Sequence, residues 1–391
     1  MKHKIAYIFM REVSTSDTFS VSDLRNLKKE NIEISVLSIL KKKGKNPSFF
    51  DEDISFYSSD ARSLLNIFIR PLIFFDALFF VLKTNKFDLQ NLIKSLYIIP
   101  NSIEVLNNLK NIRPEIVHLF WGHYPSLVGY LVLRYLKDSK LSMFLGAYDI
   151  HVKNPMSKII YEKCDFLITH SHSNIELIKE EFGIDRKIEV IERGVDRSYL
   201  DIGDEMEPRN KNIIIFAGRL IKDKNVETII DAYSKSQKLN TNLKLEIYGD
   251  GIWKDYLKKY ATNSCPNGNI IFHGQIDQKI LSKKLHQANI FVFASKKKGE
   301  ILPNALKEAM YAGCICITTK TPGIESLINS GINGFIEDNK ANDISLRINK
   351  ILLNDQKALE SIRNSARQKI IEDFDASNSM NKYIKLWQIN T

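Results

Sequence analysis

Only four cysteines occur among 391 residues. Cys164, Cys265, Cys314 and Cys316 show no metal-ligand spacing, which sets aside a zinc site and a disulfide framework. Cys314 and Cys316 alternate along an apolar run, so they are expected on one face of a strand, as buried free thiols of a reducing compartment. No G-x-G-x-x-G opens either half and no Walker A sequence is present, which removes the usual dinucleotide and P-loop fingerprints. Asp51-Glu52-Asp53 and Asp373-Phe374-Asp375 have the D-x-D spacing of metal-dependent transferases. Neither follows a predicted strand, so no metal and no bound cofactor are expected. Met1-Lys2-His3-Lys4 precedes only a short apolar run, unlike a signal peptide, and the expected location is the cytosol.

An unbroken membrane-spanning run is also missing. Residues 64–82 come nearest, but Arg70, Pro71 and Asp76 interrupt them, and charges near a bilayer centre are costly. The segment reads as an interfacial helix, a buried helix of a first domain, or a span. Acidic residues are outnumbered, 46 against 56 basic ones, for a net charge of +10. That excess suggests an anionic partner. No reader motif and no alternation of aromatic with basic residues is found, so nucleic acid is not expected. An anionic membrane surface fits better, because the cluster Lys41-Lys42-Lys43-Gly44-Lys45 attracts such leaflets.

What is present is the composition of a globular protein, 44% hydrophobic and 26% charged, long enough for two domains. Apolar runs alternate with helical patterns throughout, which predicts an α/β architecture of parallel sheets covered by helices. In the first half, strands are predicted at residues 5–10, 32–40, 116–120, 142–145, 166–170 and 188–192. Helices are predicted at 21–30, 89–98, 102–109, 125–136 and 173–181, with Pro100 separating the second from the third. A polar stretch, residues 201–210, reads as a linker. Further strands are predicted at 212–216, 243–248, 270–273, 290–294, 314–318 and 334–336, and helices at 341–353, 356–373 and 377–387.

The most informative stretch is Gly299-Glu300-Ile301-Leu302-Pro303-Asn304-Ala305-Leu306-Lys307-Glu308-Ala309-Met310. Residues 302–311 read as a helix with Pro303 in its first turn and Gly313 past its end. Glu300 would then stand just before a helix start, where free amides and the dipole attract anions, and Glu308 about one and a half turns inside. These two carboxylates, with Pro303-Asn304 between them, resemble the E-x7-E signature of retaining glycosyltransferases of family 4, which have the GT-B fold. Three more segments fall in that family's order. Ile213-Ile214-Ile215-Phe216-Ala217-Gly218-Arg219-Leu220 with Lys224 resembles its phosphate element. Leu245-Glu246-Ile247-Tyr248-Gly249-Asp250-Gly251 resembles the next strand and turn. Thr321-Pro322-Gly323-Ile324-Glu325-Ser326-Leu327-Ile328, with Gly331 and Asn333-Gly334-Phe335, resembles the segment beyond the signature. More loosely, Ser16-Asp17-Thr18-Phe19, Leu24, Leu27-Lys28-Lys29, Ala147-Tyr148-Asp149-Ile150 and Gly194-Val195-Asp196 resemble members that build bacterial exopolysaccharide and O-antigen.

The resemblance implies two Rossmann-like domains facing each other across a cleft. Residues 1–200 would be acceptor-binding and 201–375 would bind the nucleotide-sugar, with 376–391 forming a helix that returns to the first domain. It implies that Glu308 binds the ribose, that Glu300 reaches hydroxyls of the donor sugar, and that Arg219 and Lys224 face the leaving diphosphate. Ile301, Leu302, Pro303 and Asn304 would line the donor. It implies no metal, because these cations and the helix start replace it, and retention by front-face attack without a protein nucleophile. The partners implied are a nucleotide-sugar, a lipid-linked oligosaccharide acceptor and the inner membrane face. Two departures stand out. Gly146 stands where the family often has a histidine, leaving His123, Asp149 and His151, or His118, as candidates near the sugar or acceptor. Ile301 stands where glycine is common. The departure at Gly146 also motivates a rival reading, a non-catalytic nucleotide-sugar-binding subunit of a transferase complex.

Overall fold

The computed structural model describes residues 2–13, 18–28, 31–41, 54–59, 61–86, 88–203, 208–296 and 300–389. Ser16, Asp17, Lys29, most of the Lys41–Lys45 cluster, Asp51-Glu52-Asp53, residues 204–207 of the expected linker and Gly299 lie outside them. The chain divides into two units, residues 1–192 with 379–391, and residues 193–378.

In the first unit, β1 (His3–Arg11), β2 (Ile32–Leu40), β3 (Ile54–Ser58), β4 (Ile116–Phe120), β5 (Lys140–Leu145), β6 (Phe166–Thr169) and β7 (Glu189–Val190) form one parallel sheet, in the order β3-β2-β1-β4-β5-β6-β7. Register follows the apolar pattern, with Ile8 beside Leu37 and Ile5 beside Ile116. Both faces are covered, which is why β4 is apolar but for His118 and is buried throughout. On one face Ile98, Ile103 and Leu106 of the helix Ile99–Ile112 and its lead-in meet Leu119 and Val128. On the other, Met380, Tyr383 and Trp387 of the terminal segment pack on Tyr7, Phe9 and Phe120.

That terminal segment belongs to the first unit from Ser379 onward. The helix Ala376–Leu386 is amphipathic, and the Trp387 ring just beyond it lies within 5.4 Å of His118 and 5.2 Å of Tyr383. Its indole N–H donates to Ser142 Oγ at 3.0 Å, which satisfies the one polar atom of a buried ring.

The second unit holds β8 (Asn210–Ala217), β9 (Lys244–Tyr248), β10 (Asn269–Gly274), β11 (Ala288–Phe293), β12 (Ile315–Thr319) and β13 (Phe335–Glu337), all parallel, in the order β10-β9-β8-β11-β12-β13. Both sheets therefore have a reversal of strand order, at β1/β4 and at β8/β11. All four cysteines are buried and unpaired. Burial pushes the Cys164 thiol up to about 12 and the Cys314 thiol up to about 11, which leaves both unreactive. Residues 64–82 break into Asn66–Ile69 and Pro71–Thr84, bent by 107° between residues 63–69 and 71–84, and among the described residues no single helix is long and apolar enough to cross a membrane.

Removing the terminal anchor should be costly. Trp387→Ala vacates a site 2% exposed, and truncating a buried Trp typically costs about 3–5 kcal/mol. Urea unfolding should show the midpoint falling accordingly, with the slope unchanged; a loss under about 1 kcal/mol would mean the helix is not integral to that core.

Candidate active site

In an open parallel sheet, ligands bind beyond the carboxyl ends of the strands where the strand order reverses. In the second unit that point lies between β8 and β11. β8 runs out into Gly218-Arg219-Leu220 and then the turn Lys222–Lys224. β11 runs out towards Ser295 and Glu300. The two motifs picked from the sequence, some eighty positions apart, therefore issue from adjacent strands at the switch point.

Their side chains meet there. Lys224 Nζ lies 2.5 Å from Glu300 Oε2, with only 11% and 16% of the two side chains exposed. The ammonium also lies 4.9 Å from the centre of the Phe293 ring, which adds a cation–π contact. Ser295 Oγ stands 3.3 Å from the same carboxylate oxygen and 3.1 Å from the Asp223 carbonyl. Arg219 is exposed, and its guanidinium makes no hydrogen bond or ion pair with a described residue, so its five N–H donors are available to a ligand.

Two glycines hold the Arg219 loop in place. Gly249, at φ +126°, approaches so closely that a Cβ there would stand 1.9 Å from the Gly218 carbonyl oxygen. A Cβ at Gly251 would stand 2.3 Å from the Leu220 carbonyl oxygen. With the space empty, Leu220 N–H donates to the Asp250 carbonyl at 2.9 Å and Gly218 N–H to the Tyr248 carbonyl at 3.0 Å.

The helix between the two glutamates begins later than the pattern predicts. It spans Asn304–Tyr311, with Pro303 as its N-cap and Leu302 in the left-handed region at φ +53°. The residue before a proline is disfavoured in the helical region, so Leu302 cannot be its first turn. A non-glycine residue held at positive φ is a local strain that surrounding packing must maintain, and Leu302 and Ile301 are both buried. The first helical amide bonded within the helix is that of Lys307, to the Pro303 carbonyl at 3.2 Å, and no side chain caps the start. The amides of Asn304, Ala305 and Leu306 are thus left for an anion.

Glu308 is 7% exposed and accepts a hydrogen bond from Tyr199 Oη at 2.9 Å. Burial raises its pKa, while the Tyr199 hydroxyl and the charge of Lys307 oppose the rise. Lys307 is itself buried; its ammonium donates to the Arg193 carbonyl at 2.6 Å and the Asn304 side-chain oxygen at 3.3 Å. Sequence reasoning did not find Tyr199 or Lys307. A lysine between Leu306 and Glu308, followed by the apolar Ala309 and Met310, was the available sign of a buried cation.

At the corresponding reversal in the first unit Trp121, Gly122 and His123 lie beyond β4, and Gly146 to Asp149 lie beyond the neighbouring strand β5. The buried Asp149 carboxylate accepts from the Gly122 and Gly146 amides, at 2.9 Å each, and lies 3.4 Å from His123 Nδ1. His151 is exposed on the helix Ala147–Val152. His118 is buried beside Tyr7 and Trp387, away from any ligand surface. Gly146 has a steric reason: a Cβ there would lie 2.0 Å from the Trp121 ring. Trp121 has φ +80°, another strained residue at a strand end. Among the described residues no group of three or more His, Cys, Asp or Glu could hold a metal.

Two parallel-sheet units of this construction define the GT-B fold. The chain aligns with a glycosyltransferase from Rickettsia africae ESF-5 at a TM-score of 0.76 and 18% identity, covering 99% of this chain and 98% of that one. Residues 201–369 match the family described as glycosyl transferases group 1. It is 31% identical over 258 residues to an uncharacterised glycosyltransferase of Methanocaldococcus jannaschii, which covers 64% of this chain and 63% of that protein. It is 26% identical over 245 residues to the Escherichia coli UDP-Gal:alpha-D-GlcNAc-diphosphoundecaprenol alpha-1,3-galactosyltransferase, covering 59% and 62%. The chain thus spans less than two thirds of the length of either relative.

The burial of Glu308 should be visible in stability. A carboxyl whose folded pKa is raised binds more protons folded than unfolded, so stability is greatest at low pH and falls as pH rises from its ordinary value of 4.5 through the raised one. Glu308→Gln removes that slope. The melting temperature of the variant should gain on the parent as pH rises above 4.5; parallel curves would mean that Glu308 is not held in a desolvated site.

Proposed function

We propose that this chain is a retaining, metal-independent glycosyltransferase. It moves a sugar from a nucleotide-sugar donor to a growing, lipid-linked surface polysaccharide at the cytoplasmic face of the membrane. The observation that carries the reading is the convergence of Lys224, Glu300 and an uncapped helix start on the loops at the β8/β11 reversal, with Arg219 in the first of those loops. That arrangement supplies what departure of a nucleoside diphosphate needs, fixed positive charge and amide donors aimed where negative charge develops. Arg219 offers a fork that fits two phosphate oxygens, and Lys224 offers a point charge. Glu300, held by Lys224, turns its carboxylate to the donor sugar's hydroxyls. Glu308, one helical turn on, accepts the ribose hydroxyls in place of Tyr199. Ile301, Leu302, Pro303 and Asn304 form the wall between.

The acceptor side is assigned to the first unit, where Asp149 orders the Trp121–His123 turn and His123 is the group able to meet an acceptor or sugar hydroxyl. A lipid-linked acceptor is supported by the diphosphoundecaprenol substrate in the name of the E. coli relative. Retention follows from the E-x7-E resemblance, with the departing phosphate accepting the acceptor's proton. Metal independence follows from cations standing where a metal-dependent enzyme would have a divalent ion. The filled space at Gly146 favours one second reading, a nucleotide-sugar-binding subunit without turnover.

Purified protein with its donor and acceptor separates the two. Release of nucleoside diphosphate with formation of a linkage that keeps the donor's anomeric configuration is expected, and EDTA should reduce the rate by at most a few-fold. Arg219→Ala and Lys224→Ala should each lower turnover by about 10²–10³-fold. Donor binding without turnover would select the second reading. An inverted product would overturn retention, and strict metal dependence would overturn the phosphate site described here.

Glu308→Gln should weaken donor binding by about 10- to 150-fold, the value of losing charge-assisted bonds of roughly 1.5–3 kcal/mol. Unchanged affinity by calorimetry in a folded variant would remove Glu308 from the ribose.

A further inference from the structure

The helix Pro71–Thr84 has two apolar faces with opposite fates. Ile73, Ala77, Phe80 and Val81 are buried in the first unit's core. Leu72, Phe75 and Phe79, at helical spacing, are 84%, 63% and 65% exposed. The preceding helix Asn66–Ile69 adds Phe68, and the following helix Leu89–Tyr97 adds Ile93 and Tyr97, all exposed. The helix Pro71–Thr84 adjoins each of the other two. Isolated apolar residues on a surface are ordinary, but adjoining helices that expose this many large side chains mark an interaction site.

Charge along residues 64–97 is sorted by sign. Between residues 64 and 97 the exposed ionisable residues are Arg70, Lys83, Lys86 and Lys94, all cationic. The two acids are occupied inside the unit. Asp76 accepts from Tyr130 and Tyr135 at 2.9 Å each and pairs with Arg134 at 3.2 Å. Asp88 caps the helix Leu89–Tyr97 by accepting from the Asn91 amide at 2.9 Å. Lys83 lies one turn beyond Phe79, where its long stem can run along apolar surface with the ammonium held outward.

We propose that this three-helix face is a docking surface for an anionic lipid bilayer. Phe68, Leu72, Phe75 and Phe79 enter the interfacial layer, and Arg70, Lys83, Lys86 and Lys94 meet the headgroup phosphates. The 107° bend at Arg70 prevents the segment from crossing as one rod and lays it side-on. A second copy of the chain fits poorly, because a two-fold contact would set the same cations against one another. The inference deepens the reading of a lipid-linked acceptor and rests on it for its purpose. It brings the protein to the surface where such an acceptor is anchored.

The test uses the full chain and vesicles, with neither donor nor acceptor, so its result is independent of transfer activity. Flotation with phosphatidylcholine vesicles containing phosphatidylglycerol should carry the protein to the lipid fraction, with binding falling as salt rises. The variant Leu72→Ser/Phe75→Ser/Phe79→Ser should lose binding at least tenfold while its circular dichroism stays unchanged. Arg70→Gln/Lys83→Gln/Lys86→Gln/Lys94→Gln should lose preference for the anionic lipid, by about fivefold for each charge removed. Equal flotation of parent and serine variant overturns the proposal. So does a parent that ignores vesicles but self-associates through these residues in sedimentation, and so does binding that resists both salt and alkaline washing, which would mean insertion. Vesicle binding with no transferase activity would leave this surface standing and remove the enzymatic reading instead.

Discussion

The ion pair between Lys224 and Glu300 bridges the two loops that leave adjacent strands at the reversal of the second sheet, and the site depends on it. Neither group is in bulk water, and removing one partner of such a pair leaves the other charge uncompensated, a larger loss than the pair's own net value. The pair therefore fixes the geometry of Glu300 before any ligand arrives. It also assigns the lysine two tasks on the proposed reading. The ammonium has three donors, enough to hold a carboxylate and still face a phosphate oxygen. A diphosphate would share a cation already in position, with little reorganisation at the moment of charge development.

Legibility in the sequence followed burial only in part. β2 and β4 and the helices Ala341–Leu353 and Gln356–Asp373 have the bounds the pattern predicts, because their apolar residues record a periodicity that packing only confirms. β3 was not foreseen: it is short, sits at the sheet edge, and exposes four of its five residues, so it has little apolar signal. The helices Val226–Gln237, Lys254–Ser264 and Gln278–Gln287 also went unpredicted; the last two are rich in charge and polar residues, with few buried positions between. Within the candidate site, Arg219, Lys224, Glu300 and Glu308 were singled out through the family resemblance, and the structure brings Lys224 to Glu300. Tyr199 and the Arg193 carbonyl were not, since each reaches the helix Asn304–Tyr311 from more than a hundred positions away. The helix start was misplaced by two residues because the steric effect of Pro303 on Leu302 outweighed the apolar pattern.

The first unit shows how a missing side chain can be a packing consequence. A histidine at residue 146 is incompatible with the Trp121 ring where it stands, since even a Cβ would overlap it. Trp121 in turn keeps a left-handed backbone, and Asp149 accepts from the two amides that flank this arrangement, those of Gly122 and Gly146. A buried carboxylate bonded to two backbone amides is a rigid support, and it holds His123 at 3.4 Å. Strain and support occurring together at a strand end are what a functional turn requires, because strain persists only where its surroundings over-determine it.

The same logic joins the two units' sites. In each, a carboxylate beyond the strand ends is withdrawn from water and bonded within its own unit: Asp149 by two amides, Glu300 by Lys224, Glu308 by Tyr199 alone. Fully satisfied, Asp149 is a structural acceptor with little capacity left for a ligand. Glu308 accepts one hydrogen bond, from Tyr199, and its pKa is raised by burial, so its empty state is the least favourable of the three. A site that keeps such a group at some cost in stability gains from it only when a ligand supplies the missing donors. Vicinal hydroxyls of a ribose are donors of the right number and spacing, which is why the second glutamate, rather than the first, is the better place to look for nucleotide recognition in this chain.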